Sequence, residues 1–176
     1  SSGAARPWLG LLAIAMVGVA YLAVGHVLFW QRGHAAAGLL MGGAALATLL
    51  VSIARVDCPD GAAQCGLQTA YGEYLSNLDS ASWGQMLHAP LVGASYLCVL
   101  IAMLRVGWVE GRYSVTAFVS VGAAILSAWM PVFWLPSEDP GLAQRAWLLV
   151  PCLWVLWLCA AALLAPLRTR SGAHKR

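Results

Sequence analysis

Between Arg55 and His88 the chain reads RVDCPDGAAQCGLQTAYGEYLSNLDSASWGQMLH, which holds four of its seven carboxylates, two of its five cysteines and one of its four histidines. A carboxylate that orients an imidazole makes a general base, so His88 with Asp57 or Asp60 is the candidate catalytic set. Ser80 or Ser82 would offer the hydroxyl for a nucleophilic step. No nucleophile elbow or other catalytic signature accompanies them. The structural reading of the same residues is an ion-paired cluster of Arg55, Asp57, Asp60, His88 and Arg145 that ties helix ends together. Both readings stay open on the residues alone. Cys58 and Cys65 have six residues between them. That spacing suits a disulfide bracing a long loop on an oxidising side. The alternative is a metal held by both thiolates with His88 and an aspartate, but zinc cysteine pairs are usually closer. The disulfide is the expectation, and no metal or other cofactor is expected.

These residues must be carried by elements suited to lipid. The chain is 61% hydrophobic and only 10% charged, too few charges to clothe a soluble surface. The net charge of +3 is small and the basic residues are scattered, which excludes a basic stripe for nucleic acid. Several of the nine tryptophans fall at the ends of apolar runs, where amphipathic rings favour the membrane interface.

The expected fold is therefore all-α: a single polytopic transmembrane domain over residues 1–176 with five membrane helices. They are placed at about 8–30, 35–56, 86–104, 113–134 and 146–167, each near the length that crosses roughly 30 Å of hydrocarbon. An extracytoplasmic loop spans 57–85. Pro131 and Pro151 fall near helix ends, where few backbone bonds are lost. In the second run, Gly38 with Gly42 and Gly43 with Ala47 form small-xxx-small pairs that predict close packing on a neighbour. Cys98, Cys152 and Cys159 lie within the runs and read as small packing residues. His26 and His34 sit on one short hairpin, a poor arrangement for a haem clamped across a bundle. No Asp or Glu falls at the middle of a run, which counts against an ion-coupled transporter. The polar groups left inside are the hydroxyls of Thr48, Ser52, Ser95, Ser120 and Ser127.

Arg32, Arg105, Arg112, Arg168, Arg170, Lys175 and Arg176 belong to one side of this topology, and Arg6, Arg55 and Arg145 to the other. The positive-inside rule then puts the C-terminus in the cytoplasm and loop 57–85 outside. The membrane expected is the bacterial inner (cytoplasmic) membrane.

The step Asp57-Cys58-Pro59-Asp60 after one helix, Leu87-His88-Ala89 opening the next and Gln144-Arg145 opening the last together resemble a known pattern. They are similar to the bacterial and archaeal membrane proteins of domain-of-unknown-function family 998, whose layout is like that of the Frag1/DRAM/Sfk1 proteins. The resemblance covers Trp8 to Leu167. It implies six helices, of which this chain would hold the last five. The family's Phe-Pro-x-Asp step reads Val56-Asp57-Cys58-Pro59-Asp60 here, and no second histidine follows His88. The resemblance brings no activity with it.

Two functional classes follow. The first is a structural or accessory membrane protein, or a subunit of a larger membrane complex. The second is an enzyme or binder acting on lipid or lipid-linked substrate at the outer leaflet, with a polar site around His88 and Asp57/Asp60. The partners expected are membrane lipid and other membrane-protein subunits, and not nucleic acid.

Overall fold

The computed structural model describes residues 7–31, 33–53, 83–111, 113–134 and 148–162. They form five helices: α1 (Pro7–Trp30), α2 (Ala35–Ile53), α3 (Trp83–Glu110), α4 (Val115–Trp134) and α5 (Leu148–Ala162). Within them, Leu12–Trp30, Ala35–Ile53 and Pro90–Glu110 are long and apolar enough to cross a membrane, and Val115–Trp129 and Leu148–Ala162 are shorter apolar segments. The protein is a helical membrane bundle. Its outer surface bears Leu12, Met16, Val19 and Leu22 on α1 and Val115, Phe118 and Ile125 on α4, all largely exposed. Such a continuous apolar exterior would be an aggregation surface in water but is matched to acyl chains.

Each of the first three helices packs against the next in the chain. The α1–α2 turn closes on Gly33, whose φ of 84° is open to glycine at little cost, and the α3–α4 turn closes on Gly111 at φ 80°. Gly111 directly follows Glu110 and so ends α3 in the usual way for a glycine past a helix C-terminus. Ser114 precedes α4, and its carbonyl accepts from Phe118 N at 3.1 Å. α3 therefore runs to Glu110, beyond the 104 expected from the first charge, Arg105. That arginine is exposed on the outer side of the helix, where its long stem can carry the guanidinium toward the interface. The same helix starts at Trp83, so Pro90 lies inside it. Proline has no N–H to give the carbonyl four residues back, which leaves one α3 bond unmade close to His88.

The centre of the bundle is built from small and flexible side chains. Met41, Ala44 and Ala45 of α2 meet Ala102, Met103 and Val106 of α3, with Ala124 of α4 and Trp154 of α5 completing the cluster. Lipid tails are as apolar as leucine, so helices associate by close packing and by hydrogen bonds between them. Small residues give the close packing: at Gly107 a β-carbon would lie 2.7 Å from Val121 Cγ2, so α3 and α4 approach closely there. The hydroxyls singled out from sequence give the bonds. Thr48 Oγ1 donates to Ala44 O at 2.8 Å and lies 2.8 Å from Ser95 Oγ, joining α2 to α3. Tyr96 OH donates to Ser127 O at 2.9 Å, joining α3 to α4. Trp154 Nε1 donates to Ser120 Oγ at 2.9 Å, joining α5 to α4.

At the end of the bundle that holds both tight turns, His34 at the start of α2 meets Glu110 at the end of α3. His34 Nε2 is 3.1 Å from Glu110 Oε1, with the histidine buried and the carboxylate partly open. The two residues are 76 apart in the chain. This pair ties the α1–α2 hairpin to the α3–α4 hairpin.

Candidate functional site

At the opposite end of the bundle a cavity of ≈ 140 Å³ opens between α1, α2, α3 and α5. One stripe of α3 forms its long wall: His88, Val92, Ser95, Tyr96 and Val99. These recur at intervals of three and four residues, the spacing of one helix face. Eleven residues from His88 to Val99 correspond to about 16 Å along the axis. Ile14, Val17 and Tyr21 of α1 form the facing wall. Thr48 and Val51 of α2 and Leu148 and Pro151 of α5 close the sides. The lining is aliphatic apart from a few polar groups. His88 is half-buried toward the start of α3. Thr48 and Ser95 lie deeper, already bonded to each other and to the Ala44 carbonyl. Tyr21 is 4% exposed and stands near the middle of α1, fourteen residues from Pro7 and nine from Trp30.

An apolar slot with a few placed polar groups is the usual make-up of a site for a small apolar molecule. Only His88 and the two tyrosines of its lining are titratable, so nothing deep in it would balance a charged head group. The arrangement can hold an apolar chain along α3 and offer hydrogen bonds at selected depths.

Of the candidate polar cluster, His88 is the member among the described residues, and it lies on this cavity beside the interior hydroxyls of Thr48 and Ser95. Arg55, Asp57, Asp60 and Arg145, which would complete the polar cluster, lie outside the described residues, as do Ser80 and Ser82. Cys58 and Cys65, the expected disulfide, lie outside them as well. Cys98, Cys152 and Cys159 are free thiols on α3 and α5. Cys98 Sγ sits 3.5 Å from where a β-carbon on Gly43 would be, which fits the packing role expected of it. His26 is exposed and stands edge-on to Trp30, with ring centres 6.2 Å apart. His34 is buried against Glu110 instead, so the two histidines occupy different surroundings.

The sequence pattern of the family described as protein of unknown function (DUF998) matches residues 1–161. The chain belongs to this family. The match covers all five described helices except the last residue of α5, so the whole cavity wall lies inside the family's domain. No curated protein and no solved structure matches the chain. The family's description carries no activity, and the chemistry must be read from this member's own residues.

Two features of the structure were not singled out from sequence. Tyr21 and Tyr96 sit well inside α1 and α3, whereas membrane tyrosines gather at the interfaces. That displacement from the usual belt was the available signal. The His34–Glu110 pair had a fainter one: both residues belong to connections assigned to the same side of the membrane.

Proposed function

We propose that this DUF998 member binds a lipid or lipid-linked molecule in the outer half of the bacterial inner membrane, through the cavity lined by His88. The observation that carries this reading is the cavity itself, an apolar slot walled by about 16 Å of α3 with one imidazole toward the loop-side end of that helix. The basic residues support its sidedness. By their distribution, the end of the bundle with the α1–α2 and α3–α4 turns faces the cytoplasm, and the cavity end faces outward. Asp57 and Asp60, in the polar interval that precedes α3, would supply the charged partners for a head group there.

The test is the lipid content of the purified full chain. Native mass spectrometry after extraction in mild detergent should find one bound lipid per chain. Val92→Phe, which fills the slot from its α3 wall, should reduce that occupancy to background while the protein still unfolds cooperatively. His88→Ala should leave the fold nearly intact and weaken retention of the lipid. If the wild type carries no lipid and instead copurifies with a stoichiometric membrane partner, the chain is a structural or accessory subunit and the cavity reading fails.

Sidedness has its own check. A cysteine placed at His174 should be protected from an impermeant maleimide added to intact cells, and should react once the membrane is permeabilised. Labelling of that position from outside would invert the topology and move the cavity to the inner leaflet.

A further inference from the structure

The phenol of Tyr21 belongs to the cavity lining, near the middle of α1. The residue is 4% exposed and lines the slot, and no hydrogen bond joins its hydroxyl to any described residue. A hydroxyl that a ligand closed off in an apolar surrounding without offering it a partner would be costly. Its neighbours in the slot show how such groups are normally settled here: Thr48 and Ser95 share the Ala44 carbonyl, and Tyr96 reaches the Ser127 carbonyl. Of these four lining residues, Tyr21 alone has no such bond to a described residue.

We infer that the molecule held in this cavity carries an uncharged carbonyl oxygen at the depth of Tyr21, and that the Tyr21 hydroxyl donates to it. This inference rests on the lipid-site reading above and names the chemistry of its ligand. A charged acceptor is excluded by the walls: Ile14, Val17, Val51 and Val99 offer nothing to balance a phosphate or carboxylate near the middle of the membrane. A pure hydrocarbon is disfavoured because it would leave the phenol unpaired. A carbonyl on an otherwise apolar, long-chain molecule meets both conditions. Two membrane sources have that chemistry, the acyl ester of a glycerolipid and the ring carbonyl of a lipid-soluble quinone.

The experiment is competition for the cavity of the full chain in detergent, wild type and Tyr21→Phe, using two matched pairs of probes. One pair is a diacyl and a dialkyl phosphatidylglycerol of equal chain length, which differ in their ester carbonyls. The other is decylbenzoquinone and decylbenzene. The wild type should prefer the carbonyl-bearing member of one pair by roughly three- to tenfold. Tyr21→Phe should abolish the preference and bind the carbonyl-free member as the wild type does. The pair that shows the preference separates an ester lipid from a quinone. As a measurement that needs no variant, the carbonyl stretch of the preferred probe should shift to lower frequency on binding the wild type. A wild type with no preference in either pair, or a Tyr21→Phe protein that keeps it, overturns the inference and leaves the lipid site standing. A wild type that binds no member of either pair overturns both.

Discussion

Replacing Gly38 by alanine is expected to force the α1–α2 hairpin apart and to lower thermal stability by several degrees, whereas Gly42→Ala, one helical turn further on, is expected to be neutral or slightly stabilising. A β-carbon at Gly38 would lie 2.5 Å from the Phe29 backbone nitrogen and 2.7 Å from both the Gly25 carbonyl oxygen and Phe29 Cα. These are backbone atoms, which no side-chain rotation can move aside. The clash can be relieved only by separating the helices. A β-carbon at Gly25 would be similarly crowded, 3.0 Å from Gly38 O, so the crossing is close from both sides. Overpacking a tight contact typically costs about 1–3 kcal/mol, and here one methyl disturbs the whole crossing. At Gly42 a β-carbon would meet nothing within 4 Å, and alanine lowers the backbone entropy of the unfolded chain. Thermal unfolding of the two variants in one detergent checks the contrast. Equal stabilities would show that the hairpin is not held at this crossing.

Removal of the Trp154 side chain should give the largest loss from a single truncation. Trp154 is 1% exposed and is the bulkiest fully buried side chain among the described residues. It fills the junction of α5 with α3 and α4, and its indole N–H is bonded to Ser120. In a membrane the transfer of apolar surface from water is absent, because both states lie in hydrocarbon. The cost of Trp154→Ala is then the lost packing and the void left behind, which puts it near the lower end of the tryptophan range, about 3 kcal/mol. Trp154→Phe keeps most of the volume and removes the N–H, so it should cost about 1 kcal/mol. Ser120→Ala should cost at least as much as Trp154→Phe, since it leaves the buried indole N–H without its acceptor. Denaturation in mixed micelles orders the three variants. A Trp154→Ala protein within about 0.5 kcal/mol of wild type, the range of a surface change, would mean that α5 is not held by this contact.

Much of the fold was legible because length and apolar composition are the terms a bilayer selects on. The two turns were visible as short polar breaks, QRGH and the Arg105–Arg112 region, and each proves to close on a glycine. The end of α3 was misplaced by six residues because a single arginine resembles a boundary; what ends that helix is Gly111, not the charge. The paired glycines of α2 correctly announced a close approach. They did not say that a β-carbon is excluded at Gly38 and has room at Gly42, because both lie on nearly the same face and the distinction depends on how α1 crosses. The hydroxyls were recognisable as the interior polar groups, but their partners were not: Ser95 reaches Thr48 and Ala44 on α2, and Ser120 receives Trp154 from α5.

Residue types and spacing by themselves determined that the chain is a bundle of apolar helices suited to lipid and that His88 stands near the mouth of one of them. The tertiary structure alone decided that His88 shares a cavity with Tyr21 and Thr48 from two other helices, and that His34 finds Glu110 across 76 residues. The reason lies in the solvent. In water a helix advertises its buried face by a stripe of apolar residues against a polar remainder. α1 is apolar all round, exposing Met16 and Leu22 while it buries Tyr21 and Val24. With no contrast between the lipid-facing and protein-facing sides, the rotation of each helix is set by close packing and a few interhelical hydrogen bonds, and those exist only once the helices have met.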